Sequence, residues 1–307
     1  MSRQSNAIEV SRQVLPPAPA AGGLLWGGLG VLAFSFTVPL TRIAVGGLAP
    51  LFIGSGRAVV AAVLAALALR VTRAARPTSR QWLRLAVVAG GVVAGFPLLT
   101  SFALTSTPAV HGAVVIAVLP AATAVTAVLR TGERPPTTFW VTAAIGAGAA
   151  VAFAAVQGAG AGGLHHADLL LLGAVAAAAI GYAEGGLLAR ELGSWQTISW
   201  ALVLASPAML ALTLVSAVST PPAATAGQWA AFGYLAVVSM FLGFFAWYRG
   251  LGIGPMTRVS QVQLVQPVLT ITWAALLLGE PLTATTAVGG LLVIGSAALA
   301  VRSRTRS

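Results

Sequence analysis

Cysteine and lysine are absent from this 307-residue sequence, and charge of either sign is scarce. Without cysteine, the chain forms no disulfides and no thiolate metal sites. Only 7% of the residues are charged and 58% are hydrophobic, whereas a soluble chain averages about 25% charged residues. So few charges cannot cover a globule of this size in water. We therefore predict that lipid surrounds most of the chain.

The hydrophobic residues are concentrated in long runs separated by short breaks. Each run is long enough to cross about 30 Å of hydrocarbon as a helix. Because backbone groups in lipid need internal partners, the runs predict helices, and the fold class is all-α integral membrane with ten transmembrane helices. The ten runs cover residues 23–45, 49–70, 82–104, 108–129, 137–156, 168–189, 195–218, 227–248, 256–278 and 284–301.

The basic residues predict the orientation of these helices. All 17 basic residues are arginines. If the N-terminus is cytoplasmic, 15 of them lie on the cytoplasmic side, Arg42 lies on the outer side, and Arg57 lies within a run. Such a bias in short loops follows the positive-inside rule. We therefore predict a multi-pass protein of the cell (inner) membrane with both termini cytoplasmic. The 15 are Arg3, Arg12, Arg70, Arg73, Arg76, Arg80, Arg84, Arg130, Arg134, Arg190, Arg249, Arg258, Arg302, Arg304 and Arg306.

The sequence also repeats itself at a spacing of 147 residues. The matches are Gln81-Trp82 with Gln228-Trp229, Pro108 with Pro255, Pro120 with Pro267, Gly132-Glu133 with Gly279-Glu280, and Gly148 with Gly295. Five matches in one register indicate a duplication. Because each copy holds five runs, an odd number, the second copy is predicted to be inverted in the membrane. In secondary transporters built this way, the solute site lies between the halves.

The duplication predicts the organisation of the chain. A disordered cytoplasmic tail at 1–22 precedes the first five-helix repeat at 23–156. An external linker at 157–167 leads to the second repeat at 168–301, and a cytoplasmic tail at 302–307 follows. The first tail is polar and Pro-rich, and the run after it is too long for the apolar region of a cleavable signal peptide.

These features together resemble the EamA-type transporters of the drug/metabolite transporter superfamily. The resemblance rests on Trp26 early in the first run, Arg57 in the second, and a proline with a Gly-Glu turn closing each half, and it covers residues 23–301. It implies a ten-helix exporter or permease for amino acids, metabolites, nucleotide precursors or drugs. One difference is Arg134, which stands before Pro135 in the first turn but has no counterpart in Gly279-Glu280-Pro281.

Residues for catalytic chemistry are few. The histidines are His111, His165 and His166, and no two have the i, i+4 spacing of a helical metal site. The sequence holds no P-loop, nucleophile elbow or dinucleotide fingerprint. We therefore predict that the chain is not an enzyme and has neither a metal nor a cofactor.

Two charged residues, Arg57 and Glu184, lie well inside predicted spans and not at their ends. A charge near the bilayer centre costs at least about 2.5–3.5 kcal/mol. Arg57 either binds a substrate carboxylate or phosphate with its planar guanidinium or satisfies carbonyls of neighbouring helices. Glu184 recognises an amine, carries a coupling proton, extends toward the cytoplasm, or pairs there with Arg190 or Arg249. Together, Arg57 and Glu184 favour a zwitterionic solute such as an amino acid.

Polar and aromatic residues in the second half complete the candidate site. A stripe in the ninth run follows steps of three, four and three along one helical face, and it lines a solute cavity or holds another helix. An aromatic cluster in the eighth run stacks on a solute or packs at the interface, and Trp26 does one or the other as well. The predicted substrate-binding residues are Trp26, Arg57, Glu184, Phe241, Phe245, Gln263, Gln266, Thr270 and Trp273.

The sequence thus predicts an inner-membrane secondary transporter that exports a small metabolite, amino acid or drug-like solute by alternating access. An uncoupled channel-like facilitator and a non-transporting membrane scaffold stay open as alternatives. The expected partners are a small-molecule solute and the lipid bilayer. Because the arginines are scattered, no nucleic acid is expected. A coupling proton and a homodimer stay open.

Overall fold

The computed structural model describes residues 20–132, 134, 136–157, 165–253 and 262–304. Every regular element in these ranges is a helix, which confirms the all-helical prediction. Several predicted features lie outside the described residues. They are residues 1–19 and 305–307 of the tails, residues 158–164 of the linker, Glu133 and Pro135 of the first Gly-Glu turn, and residues 254–261 with Pro255, Arg258 and the start of the ninth run.

Seven described helices are long and apolar enough to cross a membrane, and three are shorter. The long ones are α1 (Ala20–Ser35, continued by Thr37–Ala44), α2 (Pro50–Val71), α3 (Ser79–Ala103), α4 (Ala109–Thr131), α6 (His166–Leu192), α7 (Ser194–Ser219) and α8 (Ala226–Ile253). The three with shorter apolar stretches are α5 (Thr137–Gln157, apolar over Thr137–Phe153), α9 (Gln263–Leu278) and α10 (Ala284–Arg304, apolar over Ala284–Leu299). Large apolar side chains such as Val63, Leu214 and Leu291 point outward and stay exposed, as lipid-facing residues do.

The ends of the helices repeat at the same spacing as the sequence. Thr78 caps α3, and its side chain and that of Gln81 each accept a hydrogen bond from the other's backbone N–H. Thr225 and Gln228 form the same capping box at the start of α8. Each box satisfies two backbone donors that the first turn of a helix leaves free.

Irregularities inside the helices repeat as well. Alpha-helical geometry widens to π-helical turns at Ala89–Gly95 in α3 and at Leu235–Leu242 in α8. Gly132 and Gly279 follow α4 and α9 with left-handed φ angles of 73° and 64°, a conformation that glycine adopts without steric cost. The duplication is therefore visible in the backbone, and the π-helical turns were not predicted by the apolar runs.

Helix packing joins the two halves through matched pairs. Helix α1 packs on α8, and α3 packs on α6; α2 packs on α7, and α5 packs on α10. Glycines bring the first two pairs close: a Cβ at Gly250 would lie 2.6 Å from the backbone nitrogen of Gly27, and a Cβ at Gly91 would clash with the carbonyl oxygen of Ala177. Small residues at such crossings let helix backbones approach in lipid.

Candidate functional site

A cavity lies at the centre of the helix bundle, between the two halves. Helices α1 to α4 of the first half and α6, α8 and α9 of the second half contribute to its wall. Its volume is about 40 Å³, far below the roughly 300–1,000 Å³ of a typical small-molecule site. A metabolite therefore needs movement of the wall in order to enter.

Among the residues that the structure describes in the wall of this cavity, Arg57 is the one with a charged side chain. Its side chain lies on α2 and is only 1% exposed. Neither Nε nor Nη1 finds a hydrogen-bond partner among the described residues, so no carbonyl of a described helix satisfies them. These two donors are therefore buried beside the cavity without a partner in the described part of the chain.

Helix α9 brings three of its four stripe residues to the cavity, namely Gln263, Gln266 and Thr270. Gln263 and Thr270 are each 3% exposed. One buried side-chain amide atom of Gln263 and one of Gln266 have no partner in the described part of the chain. The wall thus offers hydrogen-bonding groups that helix packing has not consumed.

Trp273, the fourth stripe residue, contacts α1 instead of the cavity. Its Nε1 donates a hydrogen bond to Ser35 Oγ at 3.0 Å, and its ring stacks on Phe36 at 4.6 Å between centroids. The residue therefore attaches α9 to α1, which is the second of the two roles that the stripe predicted.

Four aromatic side chains line the cavity. Phe96 belongs to α3, and the other three form a group: Phe34 of α1, Tyr182 of α6 and Phe244 of α8. Their ring centroids lie 4.8 Å apart for Phe34 and Phe244, 5.8 Å for Tyr182 and Phe244, and 6.3 Å for Phe34 and Tyr182. Thr37 and Ser239 join them, with their hydroxyl oxygens 2.8 Å apart. None of these five is among the predicted substrate-binding residues, although Phe244 belongs to the aromatic cluster of the eighth run.

The predicted aromatic residues of α8 lie elsewhere. Phe245 packs edge-on against Trp26 at 5.7 Å, and the guanidinium of Arg249 lies 5.1 Å from the centre of the Trp26 ring. Phe241 is half-buried against the core. None of Trp26, Phe241 and Phe245 is in the described wall. Along α8 each residue turns the side chain by about 100° around the helix axis, so Phe244 faces the cavity whereas Phe241 and Phe245 do not.

Glu184 is paired at one end of the bundle and does not line the cavity. Arg130 of α4 donates from Nε to Glu184 Oε2 at 2.6 Å, and Arg84 of α3 binds the other carboxylate oxygen. The predicted partners are Arg190 or Arg249, whereas the two arginines that bind Glu184 in the structure belong to the first half. Sequence separation hides these pairs, which join residues 54 and 100 positions apart.

Two further contacts extend this cluster. Arg84 also pairs with Glu191 on the last turn of α6, and Gln81 Nε2 donates to Glu191 Oε2 at 3.4 Å. We call Arg84, Arg130, Glu184 and Glu191 the arginine–glutamate cluster. It connects α3 and α4 to α6 at the end of the bundle that the arginine count predicts to be cytoplasmic.

The opposite end of the bundle holds a second polar cluster. His111 Nε2 and Asp168 Oδ1 lie 2.6 Å apart, and the backbone N–H of His165 donates to Asp168 Oδ2 at 2.9 Å. Glu280 accepts hydrogen bonds from the backbone N–H groups of Ala109 and Val110 at 2.8 and 2.6 Å. A carboxylate at a helix N-terminus is favoured by the free donors there and by the helix dipole.

Comparison with known proteins agrees with this architecture. The model of the EamA-like transporter family matches residues 21–155 and again residues 165–302. The uncharacterized transporter YdeK of Bacillus subtilis (strain 168) is 43% identical over 266 residues, which cover 84% of this chain and 89% of that protein. A solved crystal structure of an 18% identical protein matches with a TM-score of 0.63 over 94% of this chain and 99% of that one, which shows a shared fold. The chain is a multi-pass membrane transporter that belongs to the EamA-like transporter family.

Proposed function

We propose that the chain is an inner-membrane secondary transporter that exports a small organic solute by alternating access. The observation that carries the proposal is the central cavity, whose wall comes from both halves and holds buried polar groups without partners. In transporters built from repeats, the solute site lies at the repeat interface near the middle of the bilayer. The direction of transport rests on the resemblance to exporters.

Ten membrane crossings and an inverted second half are part of this proposal. Helices α5, α9 and α10 are apolar like the seven longer helices. In the repeat, α1 corresponds to α6, α2 to α7, α3 to α8 and α5 to α10. Replacing each helix by its counterpart turns the α1–α8 contact into the α6–α3 contact, and it leaves the α2–α7 and α5–α10 contacts unchanged. This exchange symmetry supports a pseudo-two-fold relation between the halves, and an odd number of helices in each half then inverts the second.

The two polar clusters support alternating access because they join helices of the cavity wall at opposite ends of the bundle. The arginine–glutamate cluster joins α6 to α3 and α4 at the proposed cytoplasmic end. His111 and Asp168 join α4 to α6 at the other end, beside the contact of Glu280 with α4. Opening one cluster while the other stays closed would expose the cavity to one side at a time.

A second candidate function is that of an uncoupled facilitator, in which the solute gradient alone drives transport. Its support is the absence of any carboxylate from the described cavity wall, since a coupling proton needs a titratable group that changes its exposure. Glu184, the sequence candidate for that role, is held by two arginines. Active accumulation driven by a proton gradient in proteoliposomes would reject this candidate.

The cysteine-free sequence allows a direct test of alternating access. Single cysteines replace Ala178 or Ser239 in the cavity wall, and a membrane-impermeant maleimide is applied to right-side-out and to inverted vesicles. We expect both cysteines to react from both sides. The matched control is Ala201→Cys, since Ala201 is buried in α7 but is not part of the described wall, and it should react from neither side. Reaction of the cavity cysteines from one side only would contradict alternating access.

A further inference from the structure

We propose that the solute is an organic acid whose carboxylate binds Arg57. The inference rests on the proposed function, since it requires the solute to occupy the central cavity. It narrows the solute class from zwitterions and drug-like cations to net anions. The observations behind it are the unpaired charge in the cavity, the engagement of the acids elsewhere, and the shape of the wall.

The cavity carries a positive charge that the described part of the chain leaves without a counter-ion. Arg57 is the one charged residue in the described wall, and its buried Nε and Nη1 have no partner there. An isolated buried charge is costly, and a paired, hydrogen-bonded opposite charge offsets that cost. The site is therefore built to receive an anion.

The described carboxylates are all committed to other groups. Glu184 and Glu191 bind arginines at one end of the bundle. Asp168 binds His111 and the N–H of His165, and Glu280 caps the N-terminus of α4. Glu9 and Glu133 lie outside the described residues. None of the four described acids is left to neutralise Arg57, so within the described part of the chain the counter-ion is left to a ligand.

Because Glu184 is paired with Arg84 and Arg130, it is not left to bind the amine of a zwitterionic solute. The amine of an amino acid would need a carboxylate close to the carboxylate-binding arginine, and the described wall has none. A cationic drug would meet Arg57 as a like charge. An anion instead meets the planar guanidinium, which binds carboxylates through charge-assisted hydrogen bonds.

The rest of the wall indicates a small acid with a flat or apolar body. Phe34, Tyr182 and Phe244 provide aromatic surface, with ring centroids 4.8 to 6.3 Å apart. Gln263 and Gln266 each present a buried amide atom without a described partner. These amides suit a second carboxylate oxygen or a hydroxyl substituent on the acid.

Matched acids and amides test the charge of the solute at constant shape. Thermal unfolding of the purified full-length protein is measured with acetate, benzoate, phenylacetate and salicylate, each beside its neutral amide, and with phenethylamine. A ligand of the folded state raises the unfolding temperature. We expect at least one acid to raise it more than its amide does. Equal effects in all four pairs, no effect of any acid, or a larger effect of phenethylamine would overturn the proposal.

Variants of Arg57 localise the effect. In Arg57→Gln the difference between acid and amide should vanish, because losing a hydrogen bond to a charged group weakens binding about tenfold or more. Arg57→Lys keeps the charge and should keep part of the difference. The control is Arg249→Gln, which removes an arginine outside the described wall and should retain all of it. An acid effect that survives in Arg57→Gln would refute the role of Arg57.

The unfolding temperature without ligand gives a second readout. Arg57→Gln should raise it, because the variant removes a buried charge that has no partner. A lower unfolding temperature or failure to fold would assign Arg57 a structural role and overturn the proposal. The cysteine reactivity described above distinguishes the two levels of inference. Two-sided reactivity without an acid effect rejects the anion and keeps the transporter, whereas one-sided reactivity rejects alternating access whatever the acids do.

Discussion

Arg130 Nε donates a hydrogen bond to Glu184 Oε2 across 2.6 Å, from the end of α4 to the last third of α6. Arg84 binds the same carboxylate, so Glu184 is enclosed by two arginines of the first half. Glu184, although it lies inside an apolar run, therefore connects three helices. Through these two pairs, Glu184 joins α3 and α4 to α6 at one end of the bundle, which is the closure proposed above.

Glu184→Gln should open the proposed cytoplasmic end. The amide keeps the size and hydrogen-bonding capacity of the side chain but loses the charge that holds Arg84 and Arg130. In the Ser239→Cys background, maleimide reactivity should rise from the cytoplasmic side and fall from the external side, because alternating access makes the two sides reciprocal.

The matched control for this variant is Glu191→Gln. Glu191 binds Arg84, but its side chain is 46% exposed, and exposed pairs contribute about 0–1 kcal/mol. Its effect on reactivity should be small. A rise on the cytoplasmic side without a fall on the external side would indicate a channel, and unchanged reactivity on both sides would show that the cluster is no closure.

Asp168→Asn should act in the opposite direction. The substitution removes the charge that faces His111 and weakens the acceptor for the N–H of His165. The external end should open, so Ser239→Cys should react faster from outside and more slowly from the cytoplasm. The control is His166→Gln, since His166 is exposed beside this cluster. Equal reactivity profiles for the two variants would remove Asp168 from the external closure.

Gly91→Ala should destabilise the protein, whereas the adjacent Gly90→Ala should not. A Cβ at Gly91 would meet the backbone of α6 at Ala177 and Gly181, but a Cβ at Gly90 would have no heavy atom within 4 Å. Overpacking at a closed helix crossing costs about 1–3 kcal/mol. Thermal unfolding in detergent measures both variants, and equal unfolding temperatures would contradict the close contact of α3 and α6.

Reporter fusions test the orientation. A reporter after Ser307 should be active in the cytoplasm, and one inserted within 158–166 should be active in the periplasm, because 15 of the 17 arginines then lie inside. Green fluorescent protein and alkaline phosphatase give complementary signals for the two compartments. Location of both sites on one side of the membrane would rule out the inverted ten-helix arrangement.

Much of the architecture could be predicted because it depends on local properties of the chain. The apolar runs predicted helices since a backbone in lipid has to satisfy its own hydrogen bonds. The recurrence of Gln81 at Gln228 and of Gly132 at Gly279 predicted the duplication, and these residues form the same caps and left-handed turns in both halves. Arg57 and three residues of the α9 stripe reached the cavity because they are polar in lipid and need an interior position.

Tertiary structure alone decided which side chains meet. In a membrane helix the lipid-facing and core-facing sides are both apolar, so the sequence gives little indication of which face turns inward; Phe244 enters the cavity, while Phe241 and Phe245 do not. The partners of Glu184 lie 54 and 100 positions away, and only the packing of α3 and α4 on α6 brings them together. The sequence by itself determined the helices, their repeat and the polar residues they carry. The close glycine crossings and the π-helical turns fix how the helices pack, which leaves Arg57 facing the cavity and Glu184 paired at its end.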